Sequence, residues 1–122
     1  MGPIIAIIGR PNVGKSSLFN KLIGEDRAIV ADFSGLTRDR LYGNFSVKAQ
    51  RFSIVDTGGI SDQKEEINQL ILREINKVIE EADGFIFLVD AHYGLSQDDY
   101  KIHQIIRKSG KKYILALNKS EL

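Results

Sequence analysis

The chain has 122 residues, 43% of them hydrophobic and 27% charged, with a formal net charge of +1. That length allows one domain with a real core, and so small a charge gives no electrostatic case for a nucleic-acid or membrane partner. The absence of cysteine excludes a disulfide framework and thiolate metal sites, and it fits a reducing, cytoplasmic setting.

The first apolar run, Ile4 to Ile8, reads as a buried strand. With Pro3 it is too short for a signal peptide or a membrane span. Met1-Gly2 resembles the start of a myristoylation signal, but position 6 is Ala6 instead of Ser or Thr. A short helix follows, with Leu18, Leu22 and Ile23 as its stripe and Gly24 as its stop. The polar stretch over 25–41 is long for a plain connection, which predicts a functional loop. Tyr42 to Lys48 alternates weakly and is expected to pair with Phe52 to Val55 in a hairpin around Ala49-Gln50-Arg51.

After a second polar stretch over 57–66, apolar residues recur at three and four: Ile67, Leu70, Ile71, Ile75, Val78, Ile79 and Ala82. They predict a long amphipathic helix with Glu65 and Glu66 near its positive end. Phe85 to Val89 is the next strand. Ser96, with Asp99 three residues on, predicts a capped helix carrying Ile102, Ile105 and Ile106 as far as Gly110. Tyr113 to Leu117 is the last strand. Three of the four main apolar runs are apolar on both faces, as parallel strands between helical layers require. The order β-α-β-β-α-β-α-β therefore predicts an α/β domain with a mostly parallel sheet and one antiparallel edge strand.

Gly9-Arg10-Pro11-Asn12-Val13-Gly14-Lys15-Ser16 is a complete G-x-x-x-x-G-K-S between the first strand and the first helix. Glycines let successive backbone N–H groups turn toward phosphate oxygens, and the helix N-terminus adds its positive end. Lys15 is placed to reach the β- and γ-phosphates and Ser16 to ligate Mg²⁺. A bare strand-to-helix turn has no need of Lys-Ser in that register, so the segment is read as a nucleoside triphosphate site. Asp56-Thr57-Gly58-Gly59 follows the apolar run Phe52 to Val55. Asp56 is placed to hold Mg²⁺ through water, and Gly59 lets the backbone approach a γ-phosphate. A plain Asp-initiated turn is the alternative. The position at a strand's C-terminal end favours the ligand role, because such sheets bind ligands along that edge.

In Ser34-Gly35-Leu36-Thr37-Arg38-Asp39-Arg40, Thr37 is a candidate to complete the Mg²⁺ shell when a γ-phosphate is present; Arg38 and Arg40 read as solvated charges. Asn118-Lys119-Ser120-Glu121 is, from its residues alone, either a base-reading group or a polar loop. His92 and His103 pair with no nucleophile in any motif, Tyr93-Gly94-Leu95 reads as a loop, and Lys111-Lys112 reads as a solvated strand entry.

Taken together, GRPNVGKSSLFNKL, ADFSGLTRDRLYG and IVDTGGI resemble the translation-factor-related GTPases. Within that group of Era, MnmE and Der-like proteins, the likeness is to the first GTPase domain of the Der (EngA) family, in order over essentially the whole chain. The resemblance implies a Ras-like fold, binding of GTP and GDP with Mg²⁺, slow hydrolysis of the γ-phosphate, and a cytoplasmic role in maturation of the large (50S) ribosomal subunit. It places Asn12, Val13, Gly14, Lys15, Ser16 and Ser17 in the phosphate loop, Thr37 in switch I, and Asp56 with Gly59 in switch II. Asn118, Lys119 and Glu121 fall in the guanine motif. Lys15, Thr37 and Gly59 are then the catalytic group, Ser16, Thr37 and Asp56 the Mg²⁺ ligands, and Asn12 a K⁺ ligand.

The chain departs from the family pattern in three ways. The guanine-reading acid is Glu121 where Asp is usual. Ile60 takes the slot in which Ras-type enzymes orient water with Gln. The last strand and helix, a second GTPase domain and a KH-like domain do not follow, so residues 1–122 are expected to be an N-terminal G domain incomplete at its C-terminus. Ribosomal contacts are then expected outside this segment, and Tyr113 to Leu117 are expected to bare apolar surface. A GTP-sensing module with little hydrolysis is the competing function. A P-loop kinase is more distant, since it gives Asn118-Lys119 no role.

Overall fold

Alternation of side chains across strands and their recurrence along helices divide the apolar residues into two layers, one on each face of a sheet. The computed structural model describes residues 2–10, 13–24, 41–57, 69–92 and 94–118. The elements are β1 (Ile4–Ile8), α1 (Lys15–Ile23), β2 (Leu41–Val47), β3 (Gln50–Asp56), α2 (Gln69–Glu81), β4 (Gly84–Asp90), α3 (Gln97–Ser109) and β5 (Lys112–Asn118).

The sheet order is β2-β3-β1-β4-β5. β1 runs parallel to β3 and β4, and β4 runs parallel to β5; β2 alone is antiparallel, against β3. The order of elements along the chain, the mostly parallel sheet and the antiparallel edge strand are those expected from the sequence. The register aligns Ile7 with Asp56 and Asp90 with Asn118, which brings the C-terminal ends of the parallel strands to one edge. On one face Ala6, Ile8, Val55, Phe85, Phe87 and Val89 meet α2 and α3 through Ile75, Val78, Ile79, Ile102 and Ile106. On the other, Ile7 and Ile54 meet Phe19 and Ile23 of α1. Ile7, Ile8, Ile102 and Ile106 are completely buried, each contributing about 1.5–3 kcal/mol by leaving water.

Three local features differ from expectation. The hairpin turns at Lys48-Ala49, because Val47 pairs with Gln50. Both turn residues have positive φ, 49° and 67°. A two-residue loop of this hand matches the twist of the strands, but it is usually announced by Asn-Gly, which this chain lacks. In α1 the most buried face is Lys15, Phe19 and Ile23, with Leu18 and Leu22 only partly buried beside it.

β5 lies at the sheet edge, and Tyr113, Ile114, Leu115 and Leu117 are exposed. Its apolar run thus faces water on both sides of the sheet. Lys111 is not a solvated strand entry. Its Nζ donates to the carbonyls of Ile79, Glu80 and Ala82 at 2.5, 3.0 and 2.7 Å, respectively. Those are carbonyls at the end of α2, which has no basic residue in its own last turn. A cation from another element satisfies them instead.

α3 begins and ends as read. Ser96 and Asp99 form a reciprocal capping box, and Gly110 closes the helix in the left-handed region. The segments 25–40 and 58–68, with Glu65, Glu66 and Ile67, lie outside the described residues. Among the described residues, no helix is long and apolar enough to cross a membrane.

Candidate functional site

β1 delivers the chain to the phosphate loop at its buried C-terminal end, and α1 carries it away. Gly14 is the N-cap of α1 at φ 101°, ψ 22°. A Cβ there would run into the side chain of Asn118. Glycine is therefore needed both for its backbone conformation and for that close approach. The first residue of the helix, Lys15, is fully buried. Its Nζ donates to the carbonyls of Gly9 at 3.0 Å and Arg10 at 2.7 Å. The loop thus curls around its own lysine, with the ammonium held beside the helix N-terminus.

Next along α1, Ser16 Oγ donates to Asp56 Oδ2 at 3.0 Å. Asp56 is fully buried at the end of β3, and Thr57 Oγ1 donates to the carbonyl of Ile7 at 3.1 Å, pinning that strand end to β1. From the far side, Asn118 Nδ2 donates to the carbonyl of Val13 at 2.7 Å. The carbonyl of Asn118 accepts from Ala91 N at 2.9 Å, which fixes the end of β5 to β4. A cleft of about 150 Å³, lined by Gly14, Ser17, Leu18, Lys21, Leu117 and Asn118, opens beside this junction.

Three separate strand ends therefore converge on one loop. Of the residues predicted from sequence, Val13, Gly14, Lys15, Ser16, Ser17, Asp56 and Asn118 come together here. Asn12, Thr37, Gly59, Ile60, Lys119 and Glu121 lie outside the described residues.

The donor set fits Mg²⁺. A hydroxyl and a carboxylate oxygen already face each other across hydrogen-bond distance, and hard oxygen ligands suit that ion. No cluster of three metal-ligating side chains exists among the described residues. A site with so few protein ligands suits an ion that completes its shell with phosphate oxygens and water.

Two participants were not visible in the sequence. Thr57 carries no recognisable signal beyond following Asp56. Arg10 occupies a variable position of the motif, and its contact with Asp99 (Nε to Oδ2, 3.4 Å) is purely tertiary. His103 is structural: it stacks on Phe87, and its Nε2 lies 2.7 Å from the Tyr113 hydroxyl. A larger cavity, about 570 Å³, is lined by Asn76, Ile79, Ile105, Lys108 and Lys111. It lies by the N-terminal end of β5, away from the phosphate loop.

The chain is 48% identical over 122 residues to the GTPase Der of Leptothrix cholodnii and 47% identical over 121 residues to that of Thioalkalivibrio sulfidiphilus. Each match covers 99% of this chain, which spans about a quarter of the relatives' length (27% and 26%). Among solved structures, Era of Aquifex aeolicus bound to GDP·AlF₄⁻ superposes with a TM-score of 0.73 at 32% identity, over 96% of this chain and 40% of that one. Era in complex with MgGDPNP and nucleotides 1506–1542 of 16S ribosomal RNA gives 0.72 at 32%, with the same coverage. The fold is thus the Ras-like one that the resemblance implied. A family described as "50S ribosome-binding GTPase" matches residues 4–119, and the chain belongs to that family.

Proposed function

We propose that residues 1–122 form a GTPase domain that binds GTP and GDP with Mg²⁺, hydrolyses the γ-phosphate slowly, and serves assembly of the large ribosomal subunit in the cytoplasm. The observation that carries this reading is the convergence of Lys15, Ser16, Asp56 and Asn118 from three strand ends onto one glycine-cornered loop. Support for guanine nucleotides comes from the Der relatives and from the Era structures, which hold GDP·AlF₄⁻ and MgGDPNP. Support for the ribosomal role comes from the family description and the Der relatives.

The residues divide the work as follows. The amides at the start of α1 and the Lys15 ammonium bind and orient the β- and γ-phosphates. Ser16 and Asp56 would hold Mg²⁺, which when bound neutralises phosphate charge. Thr37 and Gly59 are assigned to the γ-phosphate. Asn118 spends one amide hydrogen on Val13 and has a second for guanine N7. Lys119 would cover the ring, and Glu121 would accept from N1–H and the 2-amino group, which adenine lacks. The Ile60 side chain offers no hydrogen bond to water; Asn12 would hold K⁺, which when bound would neutralise phosphate charge.

The test is phosphate release from GTP and from ATP, with Mg²⁺ and with K⁺ or Na⁺ as the only monovalent cation. Release from GTP alone, faster in K⁺, is expected. Equal use of ATP refutes the guanine assignment, and equal rates in the two salts remove K⁺. Ile60 and Glu121 favour the second reading, a GTP-sensing module; tight GTP binding without phosphate release would establish it.

A further inference from the structure

The phosphate loop is tied to an element that phosphate chemistry does not use. Arg10 is largely buried, with 22% of its side chain exposed, and its Nε lies 3.4 Å from Oδ2 of Asp99 in the first turn of α3. Asp99 is 1% exposed. Its Oδ2 also accepts from Ser96 N at 2.8 Å and Ser96 Oγ at 3.2 Å. Neither Arg10 Nε nor Asp99 Oδ1 has a hydrogen-bond partner among the described residues. The Arg10–Asp99 contact is therefore a charge pair out of water more than an aligned hydrogen bond.

A capping box asks only that the acid's oxygen reach the N-cap amide, and it works on exposed helices. It does not account for the complete burial of an aspartate, a residue almost never fully buried without a charged partner. Arg10 is that partner, and it has a second function through its backbone. Its carbonyl accepts from Lys15 Nζ at 2.7 Å. The residue that Asp99 holds by the side chain is thus the residue that holds Lys15 by the main chain.

We infer that Asp99 is a positioning residue for the phosphate loop: through the Arg10 guanidinium it fixes the carbonyl that aims the Lys15 ammonium at the nucleotide. The inference rests on the nucleotide-binding reading above. It couples the cap of α3 to the nucleotide, so that whatever stabilises one stabilises the other.

The test measures affinity for fluorescent N-methylanthraniloyl-GDP, and melting without nucleotide, in the wild type, Asp99→Asn, Arg10→Gln, their double variant and Ser96→Ala. Asp99→Asn keeps an oxygen acceptor for the Ser96 amide and removes only the charge. It should weaken the probe by about 3- to 30-fold, Arg10→Gln should do the same, and the double variant should be little worse than either single one. Ser96→Ala breaks the reciprocal cap but keeps the ion pair, so it should lower the melting temperature with affinity changed by less than about twofold. Wild-type affinity in Asp99→Asn would overturn the inference alone, as would fully additive losses in the double variant. A loss of affinity in Ser96→Ala equal to that in Asp99→Asn would reduce Asp99 to a helix cap and overturn it too. Wild-type protein that fails to bind the probe would overturn the nucleotide reading and this inference with it.

Discussion

Replacing Gly14 by alanine perturbs the backbone and a neighbour at once, and each effect has a size. At φ 101°, ψ 22° the residue is in the left-handed region, where a Cβ costs about 1–2 kcal/mol. The new methyl group also meets the Asn118 side chain, whose Nδ2 donates to Val13 O at 2.7 Å. Pushing that amide aside breaks the hydrogen bond and strands a partly buried carbonyl, for about 1–3 kcal/mol more. The sum is about 2–5 kcal/mol, and at about 4 °C per kcal/mol for a domain of this size the melting temperature should fall by roughly 8–20 °C. Gly110 is the control, since it has φ 72° and nothing within 4 Å of an added Cβ. Gly110→Ala should show the backbone effect alone, roughly 4–8 °C. Thermal unfolding followed by circular dichroism without nucleotide would measure Gly14→Ala, Asn118→Ala and the double variant. With the Asn118 side chain removed, Gly14→Ala should cost no more than Gly110→Ala does. If Gly14→Ala costs the same with and without that side chain, the steric coupling between Asn118 and the phosphate loop is wrong.

Lys15→Ala should lower GTP affinity by about 10- to 100-fold in calorimetry while a cooperative melt persists, because it removes a charged donor; retained affinity would refute its assignment. Lys111→Met keeps the stem but removes three hydrogen bonds to the end of α2, and chemical denaturation should show a loss of about 1–3 kcal/mol. Ile102→Ala, at a fully buried position, should cost about 2–5 kcal/mol. Ile114→Ala, at a position 68% exposed, should stay within about 0.5 kcal/mol; similar losses for the two would contradict the placement of β5 at the edge. Chelating Mg²⁺ should speed release of bound GDP in a fluorescence chase, and Asp56→Ala should make release insensitive to the chelator.

The local alphabet of this chain determined much of its architecture. Continuous apolar runs, one weak alternation and a period of three to four placed the strands and helices in order, because a parallel sheet covered by helices buries both faces of its strands and one stripe of each helix. Short-range chemistry was equally legible: Ser96 with Asp99 announced one helix start, Gly110 its end, and Gly14-Lys15-Ser16 the phosphate loop. Each of these depends on residues within one turn of chain. What escaped depends on partners far along the chain. Lys111 looks like a surface lysine until α2 ends against it, and Arg10 looks like a loop charge until α3 supplies Asp99. The hairpin turn at Lys48-Ala49 was set by the register Val47↔Gln50, since tertiary pairing overrode the weak turn preference of those residues. Ser16 facing Asp56, and Asn118 bracing Val13, required the parallel register that aligns the strand ends; the sequence named the residues, and only the sheet decided that they meet.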